Sequence, residues 1–213
     1  MSAGPPPPLT PEAFQAATHV SRETLARLEA YAALLRRWQP AVNLVAASTL
    51  PDLWRRHMLD SAQLLPYLPC TPCPLADLGS GAGFPGLVLA IMGAGAVELV
   101  EADARKCAFL REAIRVSGAA ARVREGRLEA DTSPKFAVAT ARALAPLAKL
   151  LDYAEKCLAP GGIALFLKGK RLEEELTDAG KAWKMTLERF PSLTDPGGWV
   201  LRVREITRVK SIR

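Results

Sequence analysis

The residues of this chain that are best suited to bind a ligand lie in one glycine-rich stretch, DLGSGAGFPG, which runs from Asp77 to Gly86. Glycine carries no side chain, so its backbone can lie directly against a ligand and adopt positive φ angles at little cost. Apolar residues precede the stretch at 75–76 and follow it at 87–91, which predicts a strand, a turn and the start of a helix. We expect a ligand on this turn, because so many glycines cost conformational entropy that a turn without a ligand does not require.

Two classes of ligand use such a turn. Residues 81–86 match the pattern G-x-G-x-x-G, and Glu101 follows at the distance expected of a nicotinamide-dinucleotide site. Asp77 and the glycines at 79, 81 and 83 instead match D-x-G-x-G-x-G, which is similar to motif I of the class I S-adenosylmethionine (SAM) methyltransferases. A charged residue at the strand end suits a cationic ligand, and no second glycine-rich half follows. These features favour SAM and leave the nicotinamide alternative open.

The elements that must position this turn follow from the spacing of the apolar residues. From residue 75 onward, short apolar runs alternate with segments of helical periodicity, and the last two runs predict an antiparallel hairpin. This order predicts a doubly wound α/β sheet with helices on both faces. Together with the similarity to motif I, it resembles the Rossmann-like class I methyltransferase fold, whose sheet is seven-stranded and mostly parallel. The predicted strands are 75–79, 96–101, 121–125, 136–141, 162–168, 184–190 and 199–209, and the predicted helices are 85–93, 104–117, 146–158 and 170–182.

The segment before the sheet is predicted to be helical. Thr10 and Pro11 are typical of a helix N-terminus, a second helix is expected to stop before Pro40, and a third is expected from Pro51 to about Leu65. We therefore divide the chain into a disordered proline-rich tail (1–9), an N-terminal helical extension (10–70) and a SAM-dependent methyltransferase domain (71–213).

Composition limits the class of protein further. The chain has 213 residues, 49% of them apolar, which suffices for a substantial core, and no apolar run approaches the roughly 20 residues needed to span a bilayer. The first residues do not resemble a secretory signal, so we expect a cytoplasmic protein without membrane contact. Cys70 and Cys73 form a single C-x-x-C, and His19 and His57 are poorly placed to complete a metal set, so no metal site is expected.

The charge of the chain suits an anionic partner. The formal net charge is +6 and the isoelectric point is near 9.4. Arginines are frequent in the N-terminal helices and in residues 202–213. Such a distribution favours contact with nucleic acid, and an ordinary solvated basic surface remains the alternative.

Further candidate side chains follow the ends of the predicted strands, where sheets of this type bind their ligands. Glu101 follows the second strand, and its carboxylate can accept hydrogen bonds from a vicinal diol such as ribose. An apolar edge with polar neighbours follows the third strand and suits adenine. The residues at these strand ends are Glu101, Arg127, Leu128, Glu129, Arg142 and Lys168.

A set of short motifs in unbroken order resembles one family in particular, the bacterial methyltransferases that modify N7 of a guanosine in 16S ribosomal RNA (RsmG, formerly the glucose-inhibited division protein B family). The resemblance covers about residues 38–170. Its motifs are Asn43-Leu44, RHMLDS at 56–61, the glycine turn with its Pro85-Gly86 ending, Glu101 ahead of Arg105-Lys106, RLE at 127–129, ARA at 141–143 and Lys168-Gly169.

This resemblance implies a SAM-dependent guanine-N7 methyltransferase that acts on 16S ribosomal RNA or the small ribosomal subunit, and we expect a monomer. It implies that SAM contacts the turn and the ends of the second and third strands, and that Arg142 lies between the cofactor and the target base. The implied cofactor-binding residues are Asp77, Gly79, Gly81, Gly83, Phe84, Glu101, Leu128, Glu129 and Arg142. The implied catalytic residues are Asn43, His57, Arg142 and Lys168, and the implied RNA-binding residues are Arg56, Arg127 and Lys168.

The chain departs from the family's pattern at several positions. Ala137 and Ala141 replace an Asp and a Ser, Val45 replaces a Thr, and Glu101 replaces an Asp. The dipeptide at 198–199, Gly-Trp, stands where an Arg-His pair is usual. That departure concerns the last strand and its contact with RNA, whereas the expectation of a SAM site is unaffected.

The chemistry implied by the resemblance needs no general base, because N7 of guanine already carries a free lone pair. Catalysis is then expected to come from holding N7 in line with the methyl group and the leaving sulfur. Arg142 is expected to address O6 of the guanine or a phosphate, since a donor on N7 would block the reaction. His57, taken alone, could equally be a core histidine bonded to Asp60 or Ser61. A non-catalytic RNA-binding module with the same fold is a further alternative.

Overall fold

The computed structural model of the chain describes residues 6–127 and 135–209. Its centre is a seven-stranded sheet in the order β3-β2-β1-β4-β5-β7-β6, in which β7 is antiparallel to both of its neighbours and the other pairs are parallel. The predicted α/β fold is confirmed. The strands are β1 (Leu75–Leu78), β2 (Val97–Glu101), β3 (Ala121–Glu125), β4 (Phe136–Arg142), β5 (Leu158–Lys168), β6 (Trp183–Pro191) and β7 (Trp199–Arg208).

Helices cover both faces of this sheet. The N-terminal helices share one hydrophobic core with α4 and α5, and α6 and α7 contribute to a second core on the other face. The helices are α1 (Pro11–Thr18), α2 (Arg22–Val42), α3 (Asp60–Ala62), α4 (Gly86–Ile91), α5 (Ala104–Ser117), α6 (Leu147–Cys157) and α7 (Leu172–Gly180). Short 3₁₀ segments at Ala47–Asp52 and Leu65–Tyr67 and a π-helical segment at Trp54–Leu59 complete the N-terminal part.

The ends of helix α5, which borders the cleft described below, are determined by the local sequence. The Asp103 carboxylate accepts hydrogen bonds from the backbone N–H groups of Arg105 (2.8 Å) and Lys106 (3.2 Å), which satisfies two free donors of the first turn. Gly118 ends the helix in the left-handed conformation, with φ of 60°. The predicted bounds 104–117 are therefore confirmed.

Two predictions about the N-terminal helices are wrong. Helix α2 continues through Pro40 to Val42, because a proline in the last turn removes one backbone hydrogen bond without ending the helix. Asn43 then closes α2 with φ of 46°, and its N–H donates to the carbonyl of Gln39 at 3.0 Å. The single helix expected from Pro51 to Leu65 is instead divided among the 3₁₀ segments, the π-helical segment and α3.

The part of the proline-rich tail that the structure describes is bound to the helical extension. The carbonyl of Pro7 accepts a hydrogen bond from Arg55 Nη2 at 2.7 Å, and the N–H of Leu9 donates to Asp52 Oδ1 at 2.7 Å. Residues 6–9 therefore have partners in the helical extension, residues 1–5 lie outside the described part of the chain, and the expected disorder of the tail stays a prediction. Within the described ranges, no helix has both the length and the apolar character needed to cross a bilayer.

The N-terminal extension supports the glycine turn directly. Tyr31 of α2 is fully buried, and its hydroxyl donates a hydrogen bond to the carbonyl of Ala82 inside the turn. Burial raises the pKa of the Tyr31 hydroxyl well above its usual range, so this donor stays protonated. Arg27 adds hydrogen bonds to the carbonyls of Ser117 and Gly118 at the end of α5. The extension and the sheet are thus packed as one unit around the turn.

Candidate functional site

The C-terminal ends of the parallel strands open into one cleft of about 1100 Å³. This is where the strand order reverses, since the chain runs outward from β1 to β2 and β3 on one side and to β4 and β5 on the other. The glycine turn, the segment 44–60, the loop 143–146 after β4 and the β6–β7 loop all border the cleft. Sequence-predicted residues that line it are Arg56, His57, Gly79, Gly81, Phe84, Glu101, Arg127, Arg142 and Lys168.

The glycine turn presents bare backbone to this cleft. Gly79 and Gly81 adopt φ of 65° and 58°, in the left-handed region that favours glycine. A Cβ added at Gly81 would meet no atom closer than 3.9 Å, so this residue faces open space. A Cβ at Gly79 would lie 2.5 Å from Cδ1 of Leu144, because that half-exposed side chain packs directly on the turn.

Two predicted cofactor residues, Asp77 and Gly83, lie beneath the turn rather than in the cleft. Asp77 is fully buried, its Oδ1 accepts a hydrogen bond from Thr140 Oγ1 at 2.7 Å, and burial raises its pKa to about 6. A Cβ at Gly83 would lie 3.0 Å from the Tyr31 hydroxyl oxygen. The structure therefore places both residues beneath the turn, and the expected contact of the Asp77 carboxylate with a cationic ligand stays a prediction.

The Glu101 side chain lies at the end of β2, as the strand-end rule predicts. Its Oε2 accepts a hydrogen bond from the N–H of Gly81 at 2.8 Å, and its Oε1 accepts from the N–H groups of Ala102 and Asp103 at 2.8 and 2.9 Å. Each carboxylate oxygen can accept more than one hydrogen bond, so Glu101 remains able to hold a diol at the cleft. Arg127 is exposed at the rim, whereas Leu128 and Glu129 lie outside the described residues.

Arg142 is held from several directions at the end of β4. Its Nη2 donates to His57 Nδ1 at 2.7 Å, and its Nη1 donates to the carbonyl of Arg56 at 3.0 Å and to Asp60 Oδ2 at 3.2 Å. The guanidinium carbon lies 4.9 Å from the centroid of the Phe84 ring. A guanidinium has five N–H donors, so three bonds to described residues leave two donors for a ligand.

His57 is neutral in this environment. Its Nε2 lies 2.7 Å from Thr49 Oγ1, and its ring packs 4.9 Å from that of Phe84. Burial lowers its pKa to about 3, and the charges of Arg142 and Arg56 contribute further. The partners of the ring are therefore Arg142 and Thr49 rather than Asp60 or Ser61, and Ser61 instead donates its hydroxyl hydrogen to the backbone carbonyl of His57.

Asp60 connects Arg142 to the β6–β7 loop, which contains residues 192–198. Its Oδ1 accepts hydrogen bonds from Thr194 Oγ1 at 2.5 Å and from Gln63 Nε2 at 2.9 Å. Gln63 in turn accepts a hydrogen bond from the N–H of Leu193 at 2.8 Å. The loop that carries the Gly-Trp departure from the family pattern is thus bound to the helical extension.

Two further predicted catalytic residues have local partners. Lys168 is almost fully buried, its Nζ lies 2.5 Å from Glu175 Oε2, and it also donates to the carbonyl of Ala145. Asn43 is exposed at the end of α2 and does not line the cleft. The structure brings Lys168 to the cleft as part of an ion pair and gives Asn43 the role of a helix cap.

Sequence reasoning missed three cations at the rim. Lys106 of α5 lies on one side of the cleft, and Lys170 and Arg171 lie on the other side, just beyond β5. None of the three has an ion-pair partner within 4 Å among residues 6–127 and 135–209. The position of Lys170 could have predicted this, because Lys170 lies two residues beyond Lys168, in the loop that follows the predicted strand.

The arrangement fits SAM. The open backbone at Gly81, the diol-accepting capacity of Glu101 and a cleft of this volume together supply places for an amino-acid end, a ribose and a base. Phe84 and Leu144 supply apolar surface between them.

Two solved structures with the same fold are SAM-dependent methyltransferases. A SAM-dependent methyltransferase from Aquifex aeolicus aligns with a TM-score of 0.57 and 14% identity over 72% of this chain and 92% of its own. A TehB-like SAM-dependent methyltransferase from Corynebacterium glutamicum aligns with a TM-score of 0.55 and 18% identity over 86% and 99%. The fold is therefore that of the class I SAM-dependent methyltransferases.

Closer relatives define the family. The family model described as rRNA small subunit methyltransferase G matches residues 24–196. Proteins named ribosomal RNA small subunit methyltransferase G are 56% identical in Rhodospirillum centenum (95% of this chain, 94% of the relative) and 56% identical in Paramagnetospirillum magneticum (93% and 97%). The chain belongs to the rRNA small subunit methyltransferase G family. The predicted family, enzyme class and cofactor are confirmed.

Proposed function

We propose that this protein transfers the methyl group of SAM to N7 of a guanosine in 16S ribosomal RNA. The family of the chain supports this proposal, and the main structural observation in its favour is the arrangement of charged side chains around the cleft. Each acidic side chain that lines the cleft in the described residues accepts hydrogen bonds from protein donors. Five cations at the rim have no ion-pair partner within 4 Å among those residues, and they are Arg56, Lys106, Arg127, Lys170 and Arg171. An uncompensated basic rim suits a polyanion.

The residues inside the cleft fit a reaction without proton abstraction. Bound SAM supplies an electrophilic methyl group on a sulfonium. His57 is neutral, with both ring nitrogens in hydrogen bonds, and Lys168 is paired with Glu175. N7 of guanine needs no deprotonation, so these residues bind and orient the base instead of acting as acid or base.

Arg142 supports recognition of guanine in particular. Arg142 lines the cleft together with Phe84, against which its guanidinium stacks, and two of its five N–H donors are not committed to described residues. Guanine offers acceptors at O6 and N7 on one edge, and arginine is the residue most often used to read that edge. A donor from Arg142 to O6 would hold the base while leaving the N7 lone pair free.

The cations at the rim indicate how RNA is held. Lys106 and Arg127 lie on the β2–β3 side, and Lys170 and Arg171 lie on the β5 side, so a strand that crosses the cleft meets positive charge at both ends. Phosphate contacts of this kind release counterions and weaken with salt. The base itself must be unstacked to enter, as RNA loops allow.

A salt series tests this path. The double variant Lys170→Ala/Arg171→Ala should make the slope of log affinity against log salt concentration shallower by about 1.4, from about 0.7 per phosphate contact on single-stranded RNA. The matched control is Lys181→Ala/Lys184→Ala, which removes two exposed lysines that do not line the cleft. Equal slopes for the two double variants would contradict the proposed path.

The central experiment uses labelled SAM with small-subunit RNA, free or in the 30S particle, from a strain that lacks this protein. Cleavage at N7-methylated guanines should map the label to one position, and Arg142→Ala should remove it while the protein stays folded. Label on another atom or base would refute the N7 assignment. A folded Arg142→Ala variant that keeps full activity would favour a different arrangement of the base.

The alternatives have separate tests. A nicotinamide oxidoreductase predicts calorimetric binding of NADH and none of SAM, and a non-catalytic RNA-binding module predicts RNA binding without label transfer. We further propose that the protein acts as a monomer, which light scattering after gel filtration measures. Because its proposed substrate is ribosomal RNA, we place the reaction in the cytoplasm.

A further inference from the structure

Thr49 is a residue of the cleft that none of the sequence motifs includes. It lies in the 3₁₀ segment Ala47–Asp52, and its hydroxyl oxygen is 2.7 Å from His57 Nε2 and 2.7 Å from the carbonyl oxygen of Ala46. Its neighbour Ser48 is exposed, does not line the cleft and makes no side-chain hydrogen bond to a described residue. The hydroxyl of Thr49 therefore joins the His57 ring to the backbone carbonyl of Ala46.

The two ends of this hydrogen-bond chain determine where each proton lies. A carbonyl oxygen only accepts, so the hydroxyl proton of Thr49 points to Ala46 and an oxygen lone pair is left for His57. A guanidinium only donates, so His57 Nδ1 must accept from Arg142 with its own lone pair. The ring proton is then on Nε2, which donates to Thr49.

We propose that Thr49 is a positioning residue of this site, which keeps His57 in the neutral Nε2–H tautomer so that Nδ1 remains the acceptor that fixes Arg142. The proposal rests on the proposed function for its effect on methyl transfer, and the state of the His57 ring can be measured without it. Thr49 acts through His57 and Arg142.

The charges around His57 explain why its Nε2–H needs the Thr49 hydroxyl as an acceptor. Arg142 faces the ring from β4 and Arg56 precedes it in the π-helical segment, and both oppose a second ring proton. Asp60 follows one turn later, but its carboxylate is directed to Arg142 and the β6–β7 loop. Without an acceptor at Thr49, the buried Nε2–H has no described partner, and a proton on Nδ1 would instead point at the Arg142 donor.

Loss of the Thr49–His57 hydrogen bond should therefore change the orientation of the Arg142 guanidinium. Asp60 and the carbonyl of Arg56 hold Nη1, whereas His57 holds Nη2, so loss of the ring acceptor frees the guanidinium to rotate about the remaining contacts. The two donors left for the substrate then lose their fixed direction. Arg142 is the one implied cofactor-binding residue in this chain of hydrogen bonds, whereas the glycine turn and Glu101 lie outside it, so SAM affinity should change little.

The test begins with the ring itself. The chain contains two histidines, so protein labelled with ¹⁵N-histidine gives two imidazole spin systems, and His19→Asn assigns them. His19 is exposed with φ of 55°, a conformation that asparagine tolerates. In the wild type, His57 should show a protonated Nε2 and an unprotonated Nδ1 from pH 8 to pH 5. A protonated Nδ1, or a ring that becomes cationic in this interval, would overturn the proposal.

Variants of Thr49 complete the test. Thr49→Val keeps the shape and removes the acceptor, so the Nε2–H signature of His57 should be lost or mixed and kcat should fall about tenfold to a hundredfold, with SAM affinity within about twofold. Thr49→Ser restores the hydroxyl and should restore the signature and most of kcat, and Ser48→Ala is the matched control. An unchanged ring signature in Thr49→Val, or a changed signature with wild-type kcat, would overturn the proposal. If the wild type methylates no RNA, the proposed function fails, and the ring measurement still decides the role of Thr49.

Discussion

His57 and Asp77 are buried titratable groups whose pKa values are shifted in opposite directions, so replacing each one should change the pH dependence of stability with opposite sign. The pKa of His57 is lowered from 6.5 to about 3, mainly by burial. The pKa of Asp77 is raised from 3.8 to about 6, also mainly by burial. The two perturbations are His57→Asn and Asp77→Asn, which remove the titration and keep a polar side chain.

For His57, the unfolded chain takes up a proton below pH 6.5 and the folded chain does not until about pH 3. The stability that depends on this group is therefore present above pH 6.5 and is lost as the pH falls. Between pH 7 and pH 5 the loss amounts to about 2 kcal/mol in the free energy of unfolding.

For Asp77, the folded chain holds its proton up to about pH 6 and the unfolded chain releases it near pH 3.8. The stability that depends on this group is present below pH 3.8 and is lost as the pH rises through 6. Between pH 7 and pH 5 acidification therefore adds about 1 kcal/mol to the free energy of unfolding. In the wild type the gain from Asp77 offsets about half of the loss from His57 over this interval.

Urea unfolding at pH 7 and pH 5, followed by the fluorescence of the four tryptophans, measures these changes. Relative to the wild type, His57→Asn should remove about 2 kcal/mol of acid-induced loss, and Asp77→Asn should increase the loss by about 1 kcal/mol. Other titrating groups contribute equally to all three proteins and drop out of the comparison. If both variants show the wild-type difference between the two pH values, the argument that burial shifts the pKa values of these two groups is refuted.

Three further substitutions have defined outcomes. Gly86→Ala should lower the free energy of unfolding by about 2 kcal/mol or more, because its Cβ would lie 2.4 Å from the Cβ of Asp77, and a wild-type urea midpoint would contradict this. Lys168→Met should cost about 3 kcal/mol by leaving the Glu175 carboxylate without its cation, and adding Glu175→Gln should recover part of that loss in the same assay. Arg142→Lys should lower kcat at least about tenfold in a protein that still folds, because lysine cannot keep the three directed contacts, and wild-type kcat would show that those contacts are dispensable.

Elements whose ends are set by local chemistry were predictable from the sequence. Helix α5 begins and ends where the Asp103 cap and Gly118 require, and the strands from β1 to β4 lie within one residue of their predicted bounds. Pro40 misled the prediction for α2, because the packing of that helix against α5 outweighs one missing hydrogen bond. The segment before β1 was harder to predict. It consists of several short helical pieces, most of which border the cleft, and no single helical spacing of apolar residues runs through all of them.

The candidate site was predictable where strand ends determine it and unpredictable where partners come from distant segments. The strand-end rule placed Glu101, Arg142 and Lys168 at the cleft. The same rule did not reveal that Lys168 is paired with Glu175 of α7, nor that Asp77 points into the core. Thr49 was not predicted because its role depends on the His57 ring, eight residues further along the chain. That ring is in turn oriented by Arg142 of β4.

The buried Tyr31 hydroxyl on the carbonyl of Ala82 has a consequence for attempts to redesign the enzyme. A natural idea is to exchange residues 10–70 for another module and so redirect the methyl donor to a new RNA. That exchange would also remove Tyr31, because Tyr31 belongs to α2. The glycine turn, which is the expected binding site of SAM, would then lose the hydrogen bond from the Tyr31 hydroxyl to the carbonyl of Ala82. Chimaeras of this family should therefore retain α2 and graft new specificity onto the β6–β7 loop instead.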